Sequence, residues 1–205
     1  MLRELEEEVL EIYRLLDTAV AAFAQRTGLS CPQGCGHCCL SEKVEATVLE
    51  CLPLAFSLFR TAQAEDMLQR LEENEGDNRC VLYRPDRTRA GLWGCSQYAT
   101  RTVVCRLFGF AGNPGRDGIA RLAMCRVMKD AAGKGGGEIV TDDADAPMPL
   151  FVEAGLRFTT LHPGLGTARL PVNAALRQAL MKVGMVLALQ ASAPLAGEDD
   201  SASFV

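Results

Sequence analysis

Residues 31–39 read Cys31-Pro-Gln-Gly-Cys35-Gly-His-Cys38-Cys39 and hold four of the nine cysteines in this 205-residue chain. Cysteines that serve as small core residues follow the period of a helix or a strand, and these four follow neither. The glycines free the backbone to curl, so that thiolates at C-x-x-C spacing can converge on one cation or cluster. The stretch therefore predicts a thiolate metal or iron–sulfur site.

The same stretch allows two other interpretations. The sulfurs of two adjacent residues, Cys38 and Cys39, seldom fit one tetrahedral ion. Either they belong to two different metal centres, or one binds the metal and the other lies behind it and stabilises the ligand. Cys35-Gly-His-Cys38 also spells a redox tetrapeptide, but such motifs follow an apolar strand and open a helix. Here the motif follows a predicted helix and precedes a polar segment, which favours metal binding. His37 is a further zinc-ligand candidate or is simply exposed.

Four more cysteines lie where regular structure is thin, whereas Cys51 falls on the apolar face of a predicted helix and is assigned to the core. Eight thiols then remain, enough for two four-thiolate centres or for one cluster and a mononuclear site. The candidate metal ligands are Cys31, Cys35, Cys38, Cys39, Cys80, Cys95, Cys105 and Cys125.

Composition narrows the class of protein. The net charge of −5 argues against a general nucleic-acid binder, which needs clustered lysine and arginine. The N-terminus is charged from the start and has no signal-peptide pattern, so we expect a cytoplasmic protein in a reducing compartment, where cysteines bind metals more often than they form disulfides. The best apolar run, 183–191, is about half of the ~18 residues that a membrane span needs, so we expect no membrane association.

Hydrophobic periodicity predicts mostly helices. Apolar residues at three- and four-residue steps indicate a helix over 2–26, and the capping box Thr47-x-x-Glu50 begins another over 47–61, which Pro53 should kink. A polar helix over 63–75 follows. Short β-like pieces are expected around 80–83, 94–98 and 103–108, then a strand running into a short helix over 119–128.

A glycine-rich acidic stretch, 131–146, has the composition of a flexible linker. It divides a cysteine-cluster metal-binding domain, 1–130, from a C-terminal segment, 147–192, that we expect to be extended over 147–161 and helical from Pro171 to about 190, docked on the outside of the domain. The tail, 193–205, is expected to be disordered. The predicted fold class is mainly α, with helices around an irregular cysteine-rich metal-binding loop core and short β pieces.

These motifs resemble the YkgJ-like cysteine-cluster family of zinc- or iron-chelating domains, whose signature is CxxCxxCC. Residues 31–39 are similar to that signature with one extra residue in the first gap. The stretch Cys95-Ser-Gln-Tyr98-Ala-Thr-Arg101-Thr-Val-Val-Cys105-Arg106-Leu-Phe-Gly109 resembles the family pattern C-x-x-Y-x-x-R-P-x-x-C-R-x-F-G, and Cys80-Val-Leu resembles a preceding C-x-L. The similarity covers about 31–125. Thr102 replaces the proline of the pattern, which loosens the turn before Cys105.

The resemblance implies a mainly helical protein that binds an iron–sulfur cluster or zinc or iron ions, and it implies no substrate. We expect Arg101 and Arg106 to donate hydrogen bonds to sulfurs or to a carboxylate, and Tyr98 to shield the cofactor site. Metal ions are the expected partners, with a protein or redox partner possible. Three functions stay open: a binding module for metal or cluster handling or redox, an iron–sulfur enzyme for electron transfer or a group modification such as methylation, and an adaptor with a structural zinc. No catalytic residue stands out.

Overall fold

The structure is a computed structural model, and it describes residues 2–31, 35–85, 93–131 and 147–192. Its described part is mainly α, as predicted. The helices are α1 Leu2–Thr27, α2 Val48–Arg60, α3 Ala64–Glu73, α4 Val103–Leu107, α5 Arg126–Ala131, α6 Phe151–Leu161, α7 Pro163–Gly166 and α8 Val172–Ser192. The strands are β1 Glu45–Ala46, β2 Tyr83–Pro85, β3 Trp93–Cys95, β4 Gly112–Pro114, β5 Ala120–Leu122 and β6 Leu170–Pro171, and they form three antiparallel pairs, β1 with β6, β2 with β3, and β4 with β5.

Helix α2 is the centre of the core, and α1 and α8 pack against it. The predicted stripe of α1 is confirmed, since Leu5, Val9, Leu16 and Phe23 are buried. Sequence periodicity missed two polar members of the same face. Glu6 accepts two hydrogen bonds from the Arg60 guanidinium, at 2.8 and 3.0 Å, which tie α1 to the end of α2. The other member is Tyr13, which is buried and donates a hydrogen bond from its hydroxyl to the Glu50 carbonyl.

The C-terminal helix α8 begins directly after Pro171, as predicted, but it does not dock on the outside. Ala175, Leu176, Leu180 and Val183 are fully buried in the core that α1 and α2 share. By length and composition α8 is also apolar enough to cross a membrane, and a third of its apolar window is buried inside the protein. The sequence analysis predicted this helix but did not count it as long and apolar enough for a membrane span, because Arg177 and Lys182 interrupt its apolar run.

Two predicted elements are wrong. Residues 151–161 form a helix where an extended segment was expected, because Ala154 and Phe158, four residues apart, are buried on one face, and Phe158 meets the Tyr13 ring at 6.0 Å between centroids. Residues 103–107 form α4 where a β-like piece was expected, since a tertiary contact to its first backbone N–H overrides the β preference of its two valines. Residues 132–146 of the predicted linker and the tail 193–205 lie outside the described residues.

Candidate metal centre

Eight of the nine cysteines line one cavity of about 420 Å³. This volume falls in the range of small-molecule and cofactor sites and far exceeds the ~30 Å³ that one water occupies. The cavity lies among the cysteine loop, the β2–β3 hairpin, α4, and the apolar sides of α2 and α8. Its sulfur-bearing residues are Cys31, Cys35, Cys38, Cys39, Cys51, Cys80, Cys95 and Cys105.

The cysteine loop reaches the cavity by a close backbone contact. Residues His37–Leu40 form a 3₁₀ turn in which the Cys39 N–H donates to the Gly36 carbonyl at 3.0 Å. A Cβ on Gly36 would stand 2.7 Å from the Cα of Gly94, so the loop lies directly on strand β3. Gly94 has φ of +97°, a conformation that side chains rarely adopt. The two glycines therefore bring the loop thiols to the strand that ends at Cys95.

The hairpin and the turn before it supply two more thiols. The Tyr83 N–H donates to the Cys80 carbonyl at 2.9 Å, which closes a turn at the start of β2. Cys95 pairs with Tyr83 across the hairpin, and the Ser96 N–H donates to the Leu82 carbonyl at 2.8 Å. Cys80 and Cys95, which are 15 positions apart in the sequence, thus reach the same cavity.

One buried carboxylate places α4. Glu50 completes the predicted capping box with Thr47, at 3.0 and 3.2 Å, and its second oxygen accepts the N–H of Val103 at 2.9 Å. Burial raises the pKa of Glu50, and the hydrogen bonds from the two backbone amides act in the opposite direction. The same carboxylate therefore holds the first turns of α2 and α4. Cys105 follows two residues later.

Cys105 has a hydroxyl partner where the family pattern has proline. Thr102 is buried, and its Oγ1 lies 3.6 Å from Cys105 Sγ as a hydrogen-bond donor. Its φ of −69° is also the value that proline requires. The turn thus keeps the geometry of the pattern and gains a hydrogen bond to a thiol.

Two arginines form a positively charged wall of the cavity. The Arg106 guanidinium is buried and donates to Asp17 Oδ2 at 2.5 Å, to the Arg101 carbonyl at 2.9 Å and to the Ala99 carbonyl. It also lies over the Tyr13 ring, 3.9 Å from the centroid, and the Tyr13 hydroxyl donates to the Glu50 carbonyl at 2.6 Å. Arg106 is therefore fixed on every side.

Arg101 is held less completely. Its guanidinium stacks on the Tyr98 ring at 3.9 Å and lies 3.9 Å from Asp17, so Tyr98, itself mostly exposed, covers Arg101 from solvent. Arg101 Nε is buried and has no hydrogen-bond partner among the residues that the structure describes. A buried charged donor on the wall of a thiol cavity suits an anionic acceptor inside it, such as thiolates around a metal.

The thiols differ in acidity. The hydrogen bond from Cys39 lowers the pKa of Cys38 to about 6, and the positive charge of Arg101 contributes further in the same direction. Its partner Cys39 retains the proton, and that hydrogen bond raises the pKa of Cys39. Burial raises the pKa of Cys80 to about 11 and that of Cys105 to about 12. The Cys38 thiol therefore ionises more readily than those of Cys39, Cys80 and Cys105, and a nearby cation would be needed to ionise the two buried thiols, Cys80 and Cys105.

Two cysteines depart from the sequence assignment. Cys125 is outside the cavity lining; its Sγ accepts the Met128 N–H at 3.4 Å, and it lies close enough to Cys31 to contribute to the raised pKa of that thiol, after burial and Cys35. Cys51 is buried in the core, as predicted, yet it also forms part of the cavity wall. His37 is exposed and lies outside the lining.

Sequence reasoning missed Asp17 and the second role of Glu50. Asp17 lies on the solvent side of α1 and carries no motif; it meets Arg106 across 89 positions. The capping box identified Glu50, but nothing in its spacing indicated the contact to Val103, 53 positions away.

The chemistry of the candidate ligands fits a thiophilic metal, but their positions do not define a single metal-ion site. Cysteine thiolates are the ligands of zinc and of iron–sulfur clusters. Among the described residues, however, no three Cys, His, Asp or Glu side chains converge on a point where they could hold a metal ion.

The CxxCxxCC family model, described as "Putative zinc- or iron-chelating domain", matches residues 30–131. The matched region contains all eight candidate ligands and ends with α5, so α6, α7 and α8 lie outside it. No curated protein and no solved structure matches the chain.

Proposed function

The chain belongs to the CxxCxxCC family through residues 30–131, and we propose that it binds a metal centre, an iron–sulfur cluster or zinc or iron ions, in the cysteine-lined cavity. The role that fits best is handling of the metal or cluster, or redox. The observation that carries the proposal is the gathering of eight thiols from five segments of the chain around one space: the cysteine loop, α2, the turn before β2, β3 and α4. Protein interiors are close-packed, so a space of this size that is lined by thiols, apolar side chains and two arginines calls for an occupant.

The candidate ligands within this proposal are the seven predicted cysteines on the cavity wall together with Cys125 beside Cys31. Arg101 and Arg106 would offset the negative charge of bound thiolates, and Tyr98 would cover Arg101. When bound, the metal centre would supply either a fixed structural link between the loops or a site that accepts and returns an electron.

The number of thiols on the cavity wall, eight, favours a cluster over a single ion. One tetrahedral ion needs four ligand atoms about 2.3 Å from a common point. The described side chains leave a space of about 420 Å³ with no such point, and a multinuclear group would engage more of these sulfurs with less movement of the backbone.

Metal and sulfide analysis of the protein purified without oxygen tests the proposal. A brown protein that contains iron and acid-labile sulfide in similar amounts is the expected result. A colourless protein with about one tightly held zinc would instead select the structural-zinc adaptor. A protein that binds neither metal, even after reconstitution with ferrous iron and sulfide or with zinc, would refute the proposal.

An iron–sulfur enzyme is the second candidate, and the apolar part of the cavity favours it. Leu54, Leu82, Phe108 and Phe110 line the cavity beside the thiols and could accommodate an organic group. Such an enzyme would keep one coordination position open. Electron paramagnetic resonance of the reduced cluster with and without cyanide tests this: a changed spectrum supports an open position, and an unchanged one argues for a fully ligated cluster.

A cytoplasmic location is part of the same proposal. All nine cysteines are free thiols in the structure, and reducing compartments preserve thiols. We propose no nucleic-acid or membrane partner, and a protein that exchanges metal or electrons is the partner class that fits.

A further inference from the structure

Asn173, the second residue of α8, contacts a distant segment of the chain with its whole side-chain amide. Its Nδ2 donates to the carbonyls of Asp77 at 3.2 Å and Arg79 at 2.8 Å, and its Oδ1 accepts the N–H of Val81 at 2.9 Å. These partners lie 92 to 96 positions earlier in the sequence. An asparagine amide has two N–H donors and one carbonyl acceptor, and every one of these groups is used here.

Cys80 lies between the two residues that this amide holds most closely. The Arg79 carbonyl and the Val81 N–H both form hydrogen bonds with the Asn173 side chain. The carbonyl of Cys80 itself accepts from the Tyr83 N–H at 2.9 Å. Arg70 of α3 adds a hydrogen bond to the Val81 carbonyl at 2.8 Å. The backbone on both sides of Cys80 is therefore fixed, and with it the direction in which the thiol leaves the chain.

The first turn of α8 also forms part of the cavity. Val172 and Leu176 line it, and the Val172 N–H donates to the carbonyl of Val44 at 2.9 Å. Asparagine near the start of a helix usually caps the amides of that helix. Asn173 instead points its amide across to the segment that carries a cavity thiol.

We infer that Asn173 is a positioning residue that holds Cys80 at the metal centre, so that α8, which lies outside residues 30–131, completes the site. The metal role in this inference rests on the proposed function, whereas the placement of Cys80 does not. Loss of a group that orients a metal ligand typically lowers metal affinity by about 10- to 100-fold.

The test compares full-length Asn173→Ala with Gln178→Ala, an exposed residue on the same helix. Zinc affinity is measured by competition with a chromophoric chelator, because thiolate sets of this kind bind zinc as well as iron. The rate at which iodoacetamide labels Cys80 in the metal-free protein is measured by peptide mass spectrometry. Asn173→Asp, which keeps the acceptor for the Val81 N–H but loses both donors, serves as the second variant.

We expect Asn173→Ala to bind zinc about 10- to 100-fold more weakly and to label faster at Cys80 but not at Cys51, with Asn173→Asp affected in the same direction and Gln178→Ala like the wild type. Unchanged zinc affinity in both Asn173 variants would overturn the inference and leave the proposed function intact. If the wild type bound no metal, the proposed function would fail. Faster labelling of Cys80 would then still support the placement, and unchanged labelling would refute it.

Discussion

The contact between Gly36 and Gly94 makes Gly36→Ala the sharpest perturbation of the cysteine loop. The added methyl group would stand 2.7 Å from Gly94 Cα, 3.1 Å from Gly94 N and 3.2 Å from a ring carbon of Tyr83. Carbon atoms pack at about 3.5–4.0 Å, so the loop must retreat by roughly 1 Å. The nearest atoms belong to backbone, which cannot turn aside as a flexible side chain would.

The expected loss of metal affinity depends on whether the cysteine loop is fixed against β3. Overpacking of a close contact costs about 1–3 kcal/mol. In the metal-free protein the loop can move away from β3 and avoid most of that cost. Bound metal would link the loop thiols to Cys95, which follows Gly94 directly, so the cost must be met on binding. At about 1.4 kcal/mol for each tenfold change, metal affinity should fall by about 5- to 150-fold.

Competition with a chelator measures the zinc affinity of the variant. Urea unfolding measures the stability of its metal-free form. Gly155→Ala is the matched control, since a methyl group at that position of α6 meets nothing within 4 Å and alanine favours a helix. We expect Gly155→Ala to keep wild-type affinity. Wild-type affinity in Gly36→Ala would refute the reasoning, because it would mean that the loop and β3 need not meet when metal binds.

Three further predictions concern the supports of the cavity. Glu50→Gln leaves one of the two backbone amides that Glu50 binds facing an N–H₂ group, so urea unfolding should show a loss of about 1–3 kcal/mol; a free energy of unfolding equal to that of the wild type would show that the lost bond contributes nothing. Thr102→Pro should fold, since φ is already −69°, but it and Thr102→Val should both shift the visible spectrum or the potential of an iron–sulfur centre by loss of the hydrogen bond to Cys105; spectra identical to the wild type would contradict this. Removal of metal should expose 31–39 and 80–125 to protease while α1 is cleaved later, because those loops have little apolar core of their own; an unchanged cleavage pattern would disprove metal-linked order.

Local sequence patterns predicted the elements that depend on residues close together in the sequence. The stripe of α1 and the capping box of α2 depend on residues three or four apart, and the start of α8 depends on the preference of proline for the beginning of a helix; all three are confirmed. Helix α4 was missed because its first N–H is held by Glu50, 53 positions away. Local pattern cannot report such a contact.

The residues of the site also divide into those that local sequence patterns predict and those that depend on distant contacts. The pattern of cysteines identified seven of the eight cysteines of the cavity wall, together with Cys125, which lies outside it. It missed Cys51, whose helical position indicated only burial. That position is buried and also faces the cavity, and periodicity cannot separate these two conditions. Asp17 and Asn173 carry no local motif, and their contacts with the site cross 89 to 96 positions of the chain.

X-ray absorption at the metal edge of the loaded protein tests the central claim most directly. If the thiols of the cavity bind the metal, the nearest shell consists of sulfur at about 2.3 Å, and an iron–sulfur cluster adds a second shell of iron. Replacement of Cys38 and Cys39 together by serine should remove sulfur from that shell or abolish binding. A shell of nitrogen and oxygen at about 2.0–2.2 Å, unchanged by these substitutions, would contradict the account.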